Sequence, residues 1–204
     1  MMEKLRARDY RRMAANACAT FSGTLAILTL LYYAISAVFS YVGCGIVTFI
    51  FGGTLYLGYL LIIKKAISNV EPEARDLFSG FGNNLGESVV TYVLQNIYII
   101  LWTLLLIIPG IIKSYSYACA LYLIEDEGLS GNAAITRSRE IMNGHKWELF
   151  CLQLSYIGWL ILCCLTFGIL FLWVGPKMEA AQYMFYRHIT GKDQVEEVTE
   201  QVTE

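Results

Sequence analysis

Ser138 to Gly144, SREIMNG, governs how the rest of the chain is read, because Ala74 to Gly80, ARDLFSG, runs through the same residue types sixty-four positions earlier. In both, a small residue is followed by Arg, an acid, an aliphatic, a large apolar residue, a small polar one and Gly. Another step of sixty-four lands on Arg11. The spacing predicts three units, about 1–64, 65–128 and 129–190, each a charged cytoplasmic collar followed by a membrane hairpin. The plainest hairpin follows the third collar, from Trp147 to Arg187.

Composition agrees with that environment. Of 204 residues, 56% are hydrophobic and 16% charged, and the mean hydropathy is +0.51, more apolar and less charged than a soluble domain. The formal net charge of -2 conceals a segregation, with bases at the ends of apolar segments and acids in loops and the final tail. It therefore says little about partners, and no feature points to nucleic acid. The six cysteines lie in or beside apolar runs without metal spacing or a disulfide framework, which reads as small apolar filling. Only two histidines are present, each at a segment edge, so no metal site or cofactor is expected.

Taken in order, the basic segment Met1 to Arg12 precedes an apolar run from about Ala17 to Phe39. That run is too long for a signal peptide and no small-x-small site follows it, so it is expected to stay as the first span. Ser40 to Gly45 allows a turn, and a second run reaches Ile63 before Lys64 and Lys65. Ala66 to Ser88 is too polar to cross and suits an interfacial collar. Val89 to Ile124 has room for two spans at about 20 residues each, with the turn either at Pro109-Gly110, the strongest local breaker, or at Trp102 to Leu104, sixty-four residues before Thr166 to Gly168. Glu125 to Lys146 reads as an amphipathic surface helix, with Ser130 as N-cap, Ala134, Ile141 and Met142 on one face, and Gly144 as the stop. Two further runs extend from about Leu149 to Tyr186, and the acidic tail 191–204 has the composition of a disordered segment.

The expected fold is therefore all-α: a polytopic bundle of six spans in three hairpins, forming a single membrane domain over residues 1–190 with amphipathic cytoplasmic collars. Thirteen of the 15 Lys and Arg fall in four segments that this threading places on one side, so both termini are expected in the cytoplasm.

The two exceptions, Lys113 and Lys177, are again sixty-four apart. One reading puts them in a watery cavity inside the bundle, partnered by Glu179 or by the hydroxyls of Tyr115 and Tyr117; the other lets them snorkel to the outer interface. Tyr122 and Tyr186, also sixty-four apart, are expected to anchor helix ends at the interface. Arg11, Arg75, Arg139 and Trp147 are candidate contacts for lipid headgroups or neighbouring collars. Gly23, Gly52, Gly53 and Gly58 are places where helices can approach closely. Walker loops, nucleophile elbows and arrays of intramembrane carboxylates are missing from the sequence, and an enzyme is not expected.

SREIMNGHKWELF, SYIGW (155–159), LTFGI (165–169), LWVGP (172–176), MFYRHI (184–189) and IPGII (108–112) together resemble a bacterial family of polytopic membrane proteins known only as a domain of unknown function. The likeness is most specific from Ala74 to Ile189. That family is similar, more remotely, to the membrane domain accompanying some glycerophosphodiester phosphodiesterases, whose catalytic domain has no counterpart here. The resemblance implies a bacterial cell-membrane protein and supplies no catalytic residues. Two functions follow as expectations. One is a non-enzymatic component organising lipid, a partner protein or its own copies; the other is a small transporter or channel subunit using Lys113, Lys177 and Glu179.

Overall fold

A computed structural model describes residues 6–42, 46–82, 85–105, 107–129, 131–166 and 168–192. Ser130, the expected N-cap, the turn residues 43–45 and the tail beyond residue 192 lie outside the described residues. The described chain is helical, with no strand. In order come α1 (Ala7–Ala17), α2 (Ser22–Val42), α3 (Ile46–Ile67), the 3-10 helix η1 (Ala74–Phe81), α4 (Leu85–Leu105), α5 (Ile107–Tyr117), α6 (Ala120–Glu127), α7 (Gly131–Ile141), α8 (Lys146–Leu154), α9 (Ile157–Leu165) and α10 (Phe171–Thr190).

Three of the helical stretches are long and apolar enough to cross a membrane: Ser22–Tyr41, Leu85–Leu104 and Lys146–Leu165. Each packs on a helix that follows it: α2 on α3, α4 on α5, and α8 with α9 on α10. Contacts between these groups run α3 to α4, α5 to α8, and α10 back to α2. The short polar helices pack on these groups: η1 lies on α3, α7 on α4, α6 and α5, and α1 on α10, so the first element meets the last.

Side-chain bonds tie these layers together. Thr29 and Tyr59 are 3.2 Å apart between α2 and α3, and Thr54 and Ser88 are 3.0 Å apart between α3 and α4. Ser138, fully buried, accepts from the Cys119 N–H at 3.2 Å and donates to the Ser116 carbonyl at 2.9 Å. It thereby fixes α7 over the break between α5 and α6, where helix-end groups need partners. Gly58 is required by the approach of η1, because a Cβ there would strike the Leu77 carbonyl; Gly80 meets the Thr54 carbonyl in the same way.

Several expectations need correction. In the 85–127 region both candidate turns are helical, Trp102 to Leu104 within α4 and Pro109-Gly110 within α5, and residue 106 between these helices lies outside the described residues. The run after Trp147 is broken at Ser155-Tyr156, which no proline or glycine announces. Tyr122 and Tyr186 are not interfacial anchors: they are 4% and 0% exposed and their rings stack 5.3 Å apart in the interior. Finally, SREIMNG and ARDLFSG differ in conformation. The first closes an α-helix with Ser138 and Met142 buried, whereas the second is a 3-10 helix burying Asp76, Leu77 and Gly80.

Candidate functional site

One face of α1 carries Arg8, Arg11, Arg12 and Ala15, at i, i+3, i+4 and i+7, while Tyr10, Ala14 and Cys18 on the other face are buried. The buried face packs on α10, where the Tyr10 ring meets Phe185 and His188 edge-on at 5.6 and 5.9 Å. The basic face is thereby turned over the break between α8 and α9. There Arg11 Nη1 donates to the Ser155 carbonyl at 2.7 Å, and its guanidinium lies 5.4 Å from the centre of the Tyr156 ring. Tyr156 in turn donates its hydroxyl to the Lys177 carbonyl at 3.2 Å.

Between these elements opens a groove of about 370 Å³, lined by Arg8, Arg11, Arg12, Tyr156, Trp159 and Lys177, with Ala15 and Val174. Among the described residues that line it, four are cations and none is an acid. Asp9, the acid nearest in sequence, is engaged elsewhere, accepting from the Arg6 backbone N–H at 2.9 Å. Four like charges held together repel one another, and an anion between them relieves that repulsion. Arg11, fixed by a carbonyl and a ring, presents its remaining N–H groups in a planar fork suited to phosphate or carboxylate oxygens. Trp159, 44% exposed, and the buried Val174 give the groove an apolar side.

The expected partner of the lysines lies elsewhere. Glu179, two residues beyond Lys177, accepts from Tyr56 Oη at 2.8 Å and Tyr122 Oη at 3.5 Å. Lys113 lies 4.6 Å from the centre of the Trp102 ring. Tyr115 donates to Gln153 at 2.8 Å, and Tyr117 is buried against Ala120 and Ile135. Lys113, Lys177 and Glu179 therefore do not share one site. Of the candidate headgroup residues, Arg11 enters the groove, Arg75 forms an exposed pair with Glu73 at 2.8 Å, Arg139 is exposed on α7, and Trp147 is 70% exposed, stacked on Phe150 at 5.1 Å.

The remaining charges knit the polar helices to the bundle. Lys65 and Asp76 are 2.7 Å apart, and Asp126 binds Lys64 at 2.7 Å and Lys192 at 3.4 Å. Burial raises the Asp76 carboxyl, but the Lys65 ammonium and the Glu73 backbone N–H outweigh it and hold the group below its ordinary value. The sequence reading missed Arg8, Arg12, Tyr156 and Trp159. The 8, 11, 12, 15 spacing was the available signal for the arginines; nothing local announced the tyrosine and tryptophan.

Comparison with known proteins adds one finding. A family described as a protein of unknown function, DUF975, matches residues 103–193, a narrower span than the resemblance first suggested. No curated protein and no solved structure matches the chain.

Proposed function

We propose that this chain is a non-enzymatic integral membrane protein that organises lipid by holding the phosphate of an anionic headgroup between α1, the break between α8 and α9, and α10. The observation that carries the reading is the groove itself, four cations with no lining acid beside an exposed tryptophan. Such cations attract anionic lipid by about 1 kcal/mol each near a charged surface.

The accompanying topology is six crossings of a bacterial cell membrane with both termini in the cytoplasm. The three long apolar helices and their three packed followers support it, as does the clustering of bases at helix ends. Three units of common descent agree with the cyclic order of contacts. Transport through a cavity holding both lysines finds less support, since Lys177 lines the groove and Lys113 faces Trp102.

The test is binding of phosphatidylglycerol to the delipidated protein in detergent. R8Q/R12Q/K177M is expected to weaken it by about ten- to a hundredfold, from the loss of three cations, with phosphatidylcholine bound weakly by both proteins. Equal affinity for the two lipids overturns the reading. Glycerol phosphate binding as tightly as the lipid would assign the groove to a soluble anion instead.

A further inference from the structure

We infer that the groove selects a lipid bearing two phosphate groups, one seated on Arg11 and Lys177 and the other on Arg8 and Arg12. The inference rests on the lipid-binding reading of the groove and names the class of lipid it takes.

The four cations fall into an inner and an outer pair. Arg11 and Lys177 are half-buried, whereas Arg8 and Arg12 are exposed. Around α1, Arg11 and Arg12 stand about 100° apart, while Arg8 lies one turn before Arg12 on nearly the same line. Tyr156 ties the inner pair together: its ring faces the Arg11 guanidinium at 5.4 Å, and its hydroxyl donates to the Lys177 carbonyl at 3.2 Å. The Ser155 carbonyl holds Arg11 from a third direction at 2.7 Å. The outer pair has no such support. Arg8, Arg12 and Lys177 make no ion pair among the described residues, and Glu179, the acid two residues beyond Lys177, is bonded by Tyr56 instead.

Charge and room then select the ligand. A phosphodiester brings a single negative charge and leaves most of the repulsion among four cations unrelieved. A second phosphate on the same molecule reaches the outer pair without the cost of capturing another lipid. The groove, at about 370 Å³, has the size of sites that hold whole small molecules. Basic pockets between membrane helices are a recurring seat for lipids with more than one phosphate.

Apolar surface flanks the cations on both sides. Lys177 also lines a smaller depression with Ser22, Leu25, Trp173 and Pro176. At 3.6 residues per turn, Val174, in the groove, and Trp173, in the depression, fall on opposite sides of Lys177 around α10. Trp159 and Trp173, each 44% exposed, therefore offer an interfacial ring to either side, which suits the glyceride arms of a lipid and not a free diphosphate.

Native mass spectrometry and binding to the delipidated full chain in detergent compare phosphatidylglycerol with two probes. Cardiolipin carries two phosphates separated by a glycerol, and farnesyl diphosphate carries two joined directly. At least one of these is expected to bind, one molecule per chain, about ten- to a hundredfold tighter than phosphatidylglycerol, the gain from two further cations. The tighter of the two assigns the spacing of the phosphates. That preference, read as a ratio, is expected to fall to about one in R8Q/R12Q and to persist in R137Q/K146Q, which removes two cations outside the groove. Equal affinity for all three, with phosphatidylcholine weak, overturns the two-phosphate seat and leaves the lipid reading standing. A ratio that survives R8Q/R12Q, or falls as far in R137Q/K146Q, overturns the seat as well. Inorganic diphosphate binding as tightly as either probe overturns the lipid as its occupant, and equal affinity for phosphatidylglycerol and phosphatidylcholine overturns both readings.

Discussion

At Asp76, desolvation and ion pairing act in opposite directions, and pairing prevails. Its side chain is 9% exposed and holds Lys65 at 2.7 Å, while the other oxygen accepts from the Glu73 N–H at 2.8 Å. Because the folded value lies below the ordinary 3.8, the unfolded chain takes up the proton first as pH falls. The pair therefore stabilises fully above the ordinary value, and its contribution is lost as pH drops through the folded one. Asp76→Asn is expected to cost about 2 kcal/mol at neutral pH, the scale of a hydrogen bond to a charged group. Thermal unfolding in detergent across the acid range checks it: the variant's profile should be flatter than that of the wild type. A parallel acid limb in both proteins would show that other groups set it.

Among the elements, the junction of η1 with α3 tolerates least. Gly58 meets the Leu77 carbonyl where a side chain would start, whereas Gly23 on α2 has nothing within 4 Å of that point. Gly58→Ala is expected to destabilise by about 1–3 kcal/mol or more through overpacking. Gly23→Ala, gaining helix propensity, should be neutral or stabilising by up to about 1 kcal/mol. Paired melting curves decide between close approach and general helix weakness. The sequence reading named both glycines alike, since nothing local distinguishes one packed on a backbone from one facing outward. The period of Ala134, Ile141 and Met142 announced a helix within Glu125 to Lys146, where α7 covers Gly131–Ile141 and Glu125 belongs to α6. The break at Ser155-Tyr156 escaped the sequence reading because Arg11, more than a hundred residues away, supplies the donor for the Ser155 carbonyl.

For the whole molecule, all-helical character and three helices long and apolar enough to cross a membrane were legible because a membrane leaves a long stretch of apolar side chains little choice but helix. The site was only half legible. Lys177 and Arg11 were singled out separately, one by its offset and the other by its repeat, yet their meeting depends on α1 returning to α10. Tyr122 and Tyr186 were misplaced for the same reason: an aromatic at a helix end reads as interfacial until neighbouring helices enclose it. The proposed six-crossing topology carries its own prediction. In a background without native cysteines, Leu104→Cys, at a position 84% exposed, should react with an impermeant thiol reagent on intact cells. Arg75→Cys and Glu140→Cys should react only after permeabilisation. Reaction of either without it would refute the arrangement.

The packing of α1 on α10 also has a consequence for synthesis. When α1 leaves the ribosome its binding surface does not yet exist, since Phe171 to Thr190 follow roughly 150 residues later. At about 5–20 residues per second that gap lasts on the order of ten seconds. Through that interval Tyr10, Ala14 and Cys18 have no seat, and the basic helix must wait on the membrane surface or in a chaperone's keeping. Nascent chains arrested before residue 171 should therefore leave α1 open to protease, and protection should arrive abruptly once α10 has been inserted.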